Sequence, residues 1–284
     1  MITIDLDYLR TWIGKTRNDE DLISVRHARL MSATVDHFAP EKIGDGENLP
    51  PLWHWTYFLE AAPERELGFD GHPARGGFMP PVSLPNRMWA GGRVVFLSPV
   101  KIGTTVRKVS HILKVDHKQG RSGDLVFVTV LHEVTSQQGD LLIREEQDIV
   151  YKGSAPAQQT AQTAQMHASS QFTRTYTPSS TMLFRYSALT FNGHRIHYDV
   201  DYCRNEEGYQ NLVIHGPLNA TMLAGFAEEI SGTPLRTFSY QGLSPALLGT
   251  TITLHANVQN KTVTLSATLQ NGTVCMQAEA GLEK

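Results

Sequence analysis

Cysteine is scarce in this sequence, which has only Cys203 and Cys275 among its 284 residues. Two cysteines are too few for a disulfide framework, and their spacing is not that of metal ligands. Long apolar runs are also missing, and charged residues interrupt the apolar ones in the opening stretch "MITIDLDYLRTWIGK". The sequence therefore predicts neither a membrane-spanning helix nor a secretory signal, and we expect a cytoplasmic location.

An excess of charge of either sign is absent as well. The formal net charge is -3, with 40% hydrophobic and 19% charged residues, which is typical of a globular protein. This balance gives no electrostatic reason to expect nucleic acid or an anionic membrane as a partner. A chain of this length can form one large domain or two ordinary ones.

An internal repeat is the main organising feature of the chain. The segment "LSPVKIGTTV" at residues 97–106 returns as "LSPALLGTTI" at residues 243–252. In each copy the proline ends a strand because it cannot donate to a ladder, and the glycine then turns the chain into the next strand. Similar β-rich segments separated by turn residues follow both copies, which indicates antiparallel hairpins. The sequence thus predicts a duplicated α+β protein.

A helix is predicted upstream of each copy of the repeat. The candidates are "PPLWHWTYFLEAA" at residues 50–62 and "HGPLNATMLAGFAEEI" at residues 215–230, where Pro217 suits a first helical turn. Between the halves, residues 153–170 are rich in Ala, Gln, Ser and Thr and have no apolar pattern, which is typical of a linker. We expect an N-terminal unit at residues 1–152 and a C-terminal unit at residues 171–284.

The densest polar stretch is "NGHRIHYDVDYC" at residues 192–203, followed later by "IHGP". Together they resemble the hydratase motif of the MaoC-like and type 2 hydroxyacyl-thioester dehydratase families. The resemblance places His197 at the catalytic His of that motif, His194 at its Asn, and Gly216 in the His-Gly pair that opens the central helix. Asn192 stands where the family has an Asp, and an amide cannot take a proton as a carboxylate does.

This resemblance implies a fold and an activity. The fold would be a double hotdog, in which two antiparallel sheets each wrap a central helix, with the hydratase motif in the second half and a non-catalytic first half that shapes the pocket. The activity would be that of a hydro-lyase for a branched C5 dicarboxylyl-CoA ester, converting itaconyl-CoA to citramalyl-CoA or hydrating 3-methylfumaryl-CoA. CoA would be part of the substrate, no cofactor is expected, and homo-oligomerisation is left open.

The motif residues suit the addition of water to an unsaturated thioester. Histidine titrates near neutral pH, so His197 can move protons in both directions. Asn192 would orient the water, and His194 would act as a second acid/base or orient Asn192. The helix start at Gly216 offers unpaired N–H groups for the oxyanion of the thioester.

A free carboxylate on the substrate calls for a cation, and a guanidinium matches it best. Arg195 is the nearest candidate, followed by Arg185 and Arg75. The long loop Gly68–Pro85 is expected to shape the pocket. The full set of expected substrate-binding residues is Arg195, Arg185, Arg75, Tyr186, His215, Trp53 and Trp55, of which the two tryptophans would otherwise be core residues and His215 would only pack at the helix start.

Other functions remain open at this stage. One is a general (R)-3-hydroxyacyl-thioester dehydratase or enoyl-CoA hydratase, and another is a thioesterase of the same fold, which would use an Asp or Glu near the central helix. Glu228 and Glu229 lie near the predicted C-terminal end of that helix, which counts against the thioesterase. A non-catalytic acyl-CoA binding module would not need His197. No metal site is expected, because no nearby cysteine or glutamate completes a ligand set with the histidines.

Overall fold

The computed structural model describes residues 4–120, 123–153 and 170–283. The predicted linker at residues 153–170 falls almost entirely outside these ranges. Within them, no helix combines the length and the apolar character needed to cross a membrane.

The strands of the two halves follow the same order along the chain, whereas their helices differ. The first half contains α1 (Leu6–Arg10), β1 (Thr16–Leu22), α2 (Val25–Val35), β2 (Asn86–Phe96), β3 (Thr105–Gly120), β4 (Gly123–Ser136) and β5 (Leu141–Lys152). The second half contains β6 (Phe172–Tyr176), α3 (Ser180–Leu189), α4 (Val200–Tyr202), α5 (Gly216–Ser231), β7 (Leu235–Gly242), β8 (Ile252–Gln259), β9 (Thr262–Leu269) and β10 (Val274–Leu282). Each half therefore supplies five strands and a short helix after its first strand.

All ten strands form one antiparallel sheet. The spatial order is β1-β3-β4-β5-β2-β7-β10-β9-β8-β6, so the strand order of the first half returns in mirror sequence in the second. The halves join where β2 pairs with β7, for instance Val94 opposite Phe238. The two predicted sheets thus meet edge to edge, and the double hotdog is a single continuous sheet.

The repeated segments occupy equivalent strand ends, as the sequence predicts. Leu97 follows β2 and donates its N–H to the Leu142 carbonyl at 2.8 Å, whereas Leu243 follows β7 and donates to the Cys275 carbonyl at 2.9 Å. Leu142 and Cys275 lie in the matching strands β5 and β10. The duplication is therefore visible in the backbone hydrogen bonds as well as in the sequence.

Among the residues that the structure describes, only the second half contains a central helix. Helix α5 has Pro217 in its first turn and is buried around most of its circumference, and it ends at Gly232 with a left-handed φ of 62°. The helix predicted at residues 50–62 is wrong, since that segment forms a single 3-10 turn, Trp53–Thr56. The turn stops on both sides because Leu52 and Phe58 have positive φ values of 67° and 57°.

One hydrophobic core serves both halves. Trp53 and Met31 of the first half belong to the same buried cluster as Leu218 and Phe226 of α5. The first half therefore packs against the single central helix instead of wrapping a helix of its own. This arrangement brings loops of the first half close to the start of α5.

Candidate active site

A cavity of about 810 Å³ is lined by residues from both halves. The long loop at residues 68–85 contributes part of its wall, including His72 and Phe78. Among the motif residues, the cavity brings together Asn192, His194, His197 and Gly216. The structure thus gathers all four residues that the sequence analysis assigned to catalysis.

His197 is buried and has a fixed orientation. Its Nδ1 lies 2.7 Å from the carbonyl oxygen of Val213, which can only accept, so Nδ1 carries the proton and Nε2 is left with a lone pair. Burial lowers the pKa of His197 to about 4, which keeps the ring neutral at physiological pH. A neutral imidazole with a free Nε2 is the form that a general base requires.

His215 supports the ring of His197. The two imidazoles are stacked, with centroids 3.6 Å apart and an interplanar angle of 19°. On its other side, His215 Nε2 lies 2.9 Å from the Ser187 hydroxyl of α3. Burial holds the pKa of His215 well below its ordinary value, so two neutral rings stack without charge repulsion. His215 therefore positions His197 from beneath.

Asn192 and His194 form a tight turn at the cavity wall. The Asn192 side-chain oxygen accepts the backbone N–H of His194 at 3.0 Å, which leaves the amide NH₂ group as its donor. The ring of His194 meets His197 edge-on at a centroid distance of 5.6 Å. Burial, followed by the neighbouring charges of His72 and His197, lowers the pKa of His194 to about 2. His194 is thus a neutral ring beside the candidate base.

The first half adds a His–Asp pair to this cluster. His72 lies with its ring centroid 4.3 Å from that of His194, and its Nδ1 is 3.1 Å from Asp70 Oδ2. Burial raises the pKa of Asp70, but the hydrogen bonds and charge of His72, together with the charge of Arg87, outweigh burial and hold that pKa below the ordinary value. A carboxylate from another part of the chain is therefore bonded to His72 beside the motif, which itself carries only an amide at Asn192.

Two glycines allow the loops from the two halves to touch. A methyl group at Gly71 would lie 2.0 Å from the Gly193 carbonyl oxygen, and one at Gly193 would lie 2.6 Å from the Gly71 oxygen. The contact is secured next to them, where the Arg195 N–H donates to the Asp70 carbonyl at 3.0 Å. Only glycine fits at this crossing, which holds His72 against His194.

The cluster of Asp70, His72 and His194 could also hold a metal ion. Asp70, His72 and His194 each offer one ligand atom, and these atoms lie within 4.8 Å of one another. Of the motif histidines, this set contains only His194. Two nitrogens and one carboxylate oxygen are an acceptable but incomplete set for zinc.

Gly216 opens α5 beside an aromatic wall. As the first helical residue it has an N–H without an intrahelical acceptor. A Cβ atom at Gly216 would lie 3.0 Å from Cε3 of Trp89, a ring stacked on Tyr240 at 4.4 Å and met edge-on by Trp55 at 5.3 Å. The glycine therefore allows the Trp89 ring to pack directly against the helix start.

None of the three expected arginines lines this cavity. Arg195 is bonded to Asp199 at 2.8 and 3.1 Å and lies over the rings of Phe69 and Tyr202. Arg185 donates to the Ala33 carbonyl on the exterior. These two side chains are occupied by protein groups and lie outside the lining of this cavity.

Arg75 is likewise used within its own loop. Its guanidinium donates to the carbonyl oxygens of Val82, Leu84 and Pro85, and so ties the middle of the loop to its C-terminal end. It lines a smaller neighbouring cavity of about 450 Å³. Its role in the structure is to hold the loop in place.

The aromatic residues divide between cavity and core. Tyr186 and Trp55 line the cavity, whereas Trp53 is 2% exposed and belongs to the hydrophobic core. Trp55 Nε1 donates to Glu145, a buried carboxylate that also lies 2.9 Å from His54 Nε2. This polar cluster forms the far part of the cavity wall and was not expected from the sequence.

The two glutamates of α5 are engaged away from the cavity lining. Glu228 accepts the backbone N–H of Leu235 at 2.9 Å, and Glu229 pairs with Arg174. Neither carboxylate is placed to direct water at a thioester bound at Gly216. The structure therefore gives no support to the thioesterase alternative.

Comparisons with known proteins point to one family of dehydratases and hydratases. The family profile described as hydroxyacyl-thioester dehydratase type 2 matches residues 52–248. The chain is 45% identical over 237 residues to the mesaconyl-C(4)-CoA hydratase of Chloroflexus aurantiacus, which covers 82% of this chain and 83% of the relative.

Solved structures support the fold. A MaoC-like dehydratase superimposes with a TM-score of 0.73 at 13% identity and covers 97% of this chain and 99% of its own. A Mycobacterium tuberculosis protein described as having a double hotdog fold superimposes with a TM-score of 0.57 at 10% identity, covering 95% of this chain and 96% of its own. The double hotdog predicted from the sequence is thus confirmed.

Proposed function

The chain belongs to the hydroxyacyl-thioester dehydratase type 2 family and is a hydro-lyase, and we propose that it hydrates a branched C5 dicarboxylyl-CoA ester reversibly. One relative is named mesaconyl-C(4)-CoA hydratase, and mesaconyl-C(4)-CoA is another name for 3-methylfumaryl-CoA. This supports 3-methylfumaryl-CoA rather than itaconyl-CoA as the substrate of this chain. The observation that carries the proposal is the neutral, oriented His197 in a cavity that also contains the start of α5. A base and an oxyanion site are the two groups that this reaction needs.

His197 is the proposed general base. Its Nε2 takes a proton from water while the water oxygen bonds to the β-carbon of the unsaturated thioester. The same nitrogen then delivers that proton to the α-carbon, so the atoms of one water are added across the α,β-double bond of 3-methylfumaryl-CoA. In itaconyl-CoA the double bond joins the β- and γ-carbons, so the proton would go to the γ-carbon instead. Stacking on His215 and the bond to Val213 keep the ring fixed during both transfers.

The start of α5 is the proposed oxyanion site. Negative charge develops on the thioester oxygen as water adds, and the Gly216 N–H together with the positive end of the helix dipole stabilises it. Asn192 donates from its NH₂ group to the attacking water, since its oxygen is already used by His194. This assigns the amide an orienting role that needs no proton transfer, which suits an asparagine at this position.

A general enoyl-CoA hydratase is the alternative that shares this machinery. His197 and Gly216 act on the thioester and its double bond, so they would serve an ester with or without a second carboxylate. The cavity volume of about 810 Å³ accommodates a branched acyl chain in either case. The substrate preference must therefore come from other residues of the cavity wall.

A panel of enoyl-CoA esters tests the proposal. The purified chain is incubated with 3-methylfumaryl-CoA, itaconyl-CoA and crotonyl-CoA, and hydrated ester and free CoA are quantified separately. We expect hydration of the dicarboxylyl esters, with crotonyl-CoA slower by about 10²-fold or more. Equal rates for all three would replace the proposal with the general hydratase, and release of free CoA alone would contradict both.

The proposed reaction uses no cofactor besides the CoA of the substrate. Dialysis against EDTA should therefore leave the hydration rate unchanged. A loss of activity that Zn²⁺ restores would assign a metal to Asp70, His72 and His194 instead.

A further inference from the structure

Cationic side chains in the cavity wall differ in whether they are already paired. Those of the described residues are Arg17, Lys108, Lys152 and Arg87. Arg17 is bonded to Asp19 and Glu60 at 3.1 and 2.7 Å. Lys108 lies 3.9 Å from Asp19 and over the ring of Phe58. The side chains of Arg87 and Lys152 have neither a hydrogen bond nor an ion pair with any described residue.

The register of the sheet separates these two. Arg87 lies opposite Tyr151 and Lys152 lies opposite Asn86 in the β2–β5 pair. Residues directly opposite one another share a face, and neighbours along a strand alternate between faces. Arg87 and Lys152 therefore project from opposite faces of the sheet. Arg87 shares its face with Trp89, two residues further along β2.

The face that carries Trp89 is the one that meets the active site. The Trp89 ring packs against Gly216 at the start of α5, where a Cβ atom would be 3.0 Å from Cε3. Arg87 lies two residues before Trp89, so it is about 7 Å along the strand from that contact. This offset suits the four-carbon main chain of a branched C5 dicarboxylyl ester, with its thioester at Gly216 and its free carboxylate at Arg87.

Arg87 also acts electrostatically on the histidine cluster. After burial, its charge is the main cause that lowers the pKa of His72, to about 4. The charge of Arg87 also contributes to the lowered pKa of His194, whose ring touches that of His72. The same charge lowers the pKa of Asp70, and Arg87 lines the same cavity as His72 and His194.

An unpaired guanidinium in a half-buried position is unfavourable until an anion pairs with it. The planar guanidinium can bind a carboxylate through two parallel hydrogen bonds. We propose that Arg87 pairs with the free carboxylate of the substrate and so determines the preference for dicarboxylyl-CoA esters, an inference that rests on the function proposed above.

The test measures kcat/KM for Arg87→Gln and Arg87→Lys with 3-methylfumaryl-CoA and with crotonyl-CoA. We expect Arg87→Gln to lower kcat/KM for the dicarboxylyl ester by about 10²-fold and to change that for crotonyl-CoA by less than about 3-fold. Arg87→Lys should recover part of the loss, because it restores the charge without the planar fork. Arg107→Gln, which removes an exposed arginine paired with Glu20, is the matched control and should affect neither substrate.

A binding measurement makes the result independent of turnover. Succinyl-CoA should bind to the wild-type chain more tightly than butyryl-CoA by calorimetry, and Arg87→Gln should abolish the difference. Equal losses for both hydration substrates, or an unchanged ratio between them, would overturn the inference. If the wild-type chain hydrates crotonyl-CoA as fast as the dicarboxylyl ester, the proposed substrate class is wrong. If Arg87→Gln keeps the wild-type preference for the dicarboxylyl ester over crotonyl-CoA, only the role of Arg87 is refuted.

Discussion

Substituting Gly71 by alanine tests whether the contact between the two halves holds the catalytic cluster together. Gly71 has a φ of +85°, and its added Cβ would lie 2.0 Å from the Gly193 carbonyl oxygen. The left-handed φ alone costs an alanine about 1–2 kcal/mol. Ordinary contact begins at 3.4 Å, so the two backbones must also separate by about 1.4 Å, which would break the neighbouring hydrogen bond from Arg195 to Asp70 at a cost of about 1 kcal/mol.

A displacement of this size falls directly on the active site. Gly193 precedes His194, and Gly71 lies between Asp70 and His72, so separating the backbones moves both sides of the histidine cluster. A misplacement of about 1 Å can lower the rate by about 10²-fold. We therefore expect Gly71→Ala to lower kcat for hydration by about that factor, in addition to lowering the free energy of unfolding.

Gly139→Ala is the matched control. Gly139 has a similar φ of +93° in the turn between β4 and β5, but a Cβ there would meet no atom within 4 Å. This variant isolates the cost of the backbone conformation, and its kcat should equal that of the wild-type chain. Urea unfolding gives the free energies, and steady-state hydration gives kcat. The reasoning is refuted if Gly71→Ala matches Gly139→Ala in both measurements.

The buried histidines and the helix start lead to three further predictions. Since the neutral form of His197 is the base and its pKa is lowered to about 4, kcat/KM should be constant above about pH 5 and fall below it. The free energy of unfolding should also decrease as pH falls from 6.5 to about 4, because the unfolded chain then binds a proton that buried His197 does not; a pH-independent unfolding free energy in that window would contradict this. Gly216→Ala should lower kcat more than KM rises, because its methyl group would press on Trp89, which is confined by Tyr240 and Trp55; unaltered turnover would show that the helix start does not contact the thioester.

The duplicated fold could be predicted from the sequence because both halves carry the same strand-end and turn residues. Leu-Ser-Pro and Gly-Thr-Thr mark a strand end and a turn in both halves, and their backbone hydrogen bonds are the same. The prediction of a helix at residues 50–62 failed because an apolar face indicates that a segment is buried. It does not determine the backbone conformation of that segment. Leu52 and Phe58 take positive φ values that no helical pattern reveals, and Trp53 packs into the shared core.

The candidate site was predictable only where its residues are close in sequence. His197, His194 and Asn192 belong to one motif, so they could be predicted from the sequence. His72 and Arg87 line the cavity from the first half, and the loop that carries His72 depends on the close contact between Gly71 and Gly193. Arg195 was chosen for its nearness in sequence, yet Asp199 stands four residues later and pairs with it. That spacing was the available signal that Arg195 was already occupied.

The most direct test of the account compares wild-type chain and His197→Gln on 3-methylfumaryl-CoA, with the product identified by mass spectrometry. The account predicts an ester that has gained one water, with no free CoA, and a kcat lowered by about 10²–10⁴-fold in the variant while the fold is retained. Free CoA without hydrated ester, or a variant that hydrates the ester at the wild-type rate, would contradict it.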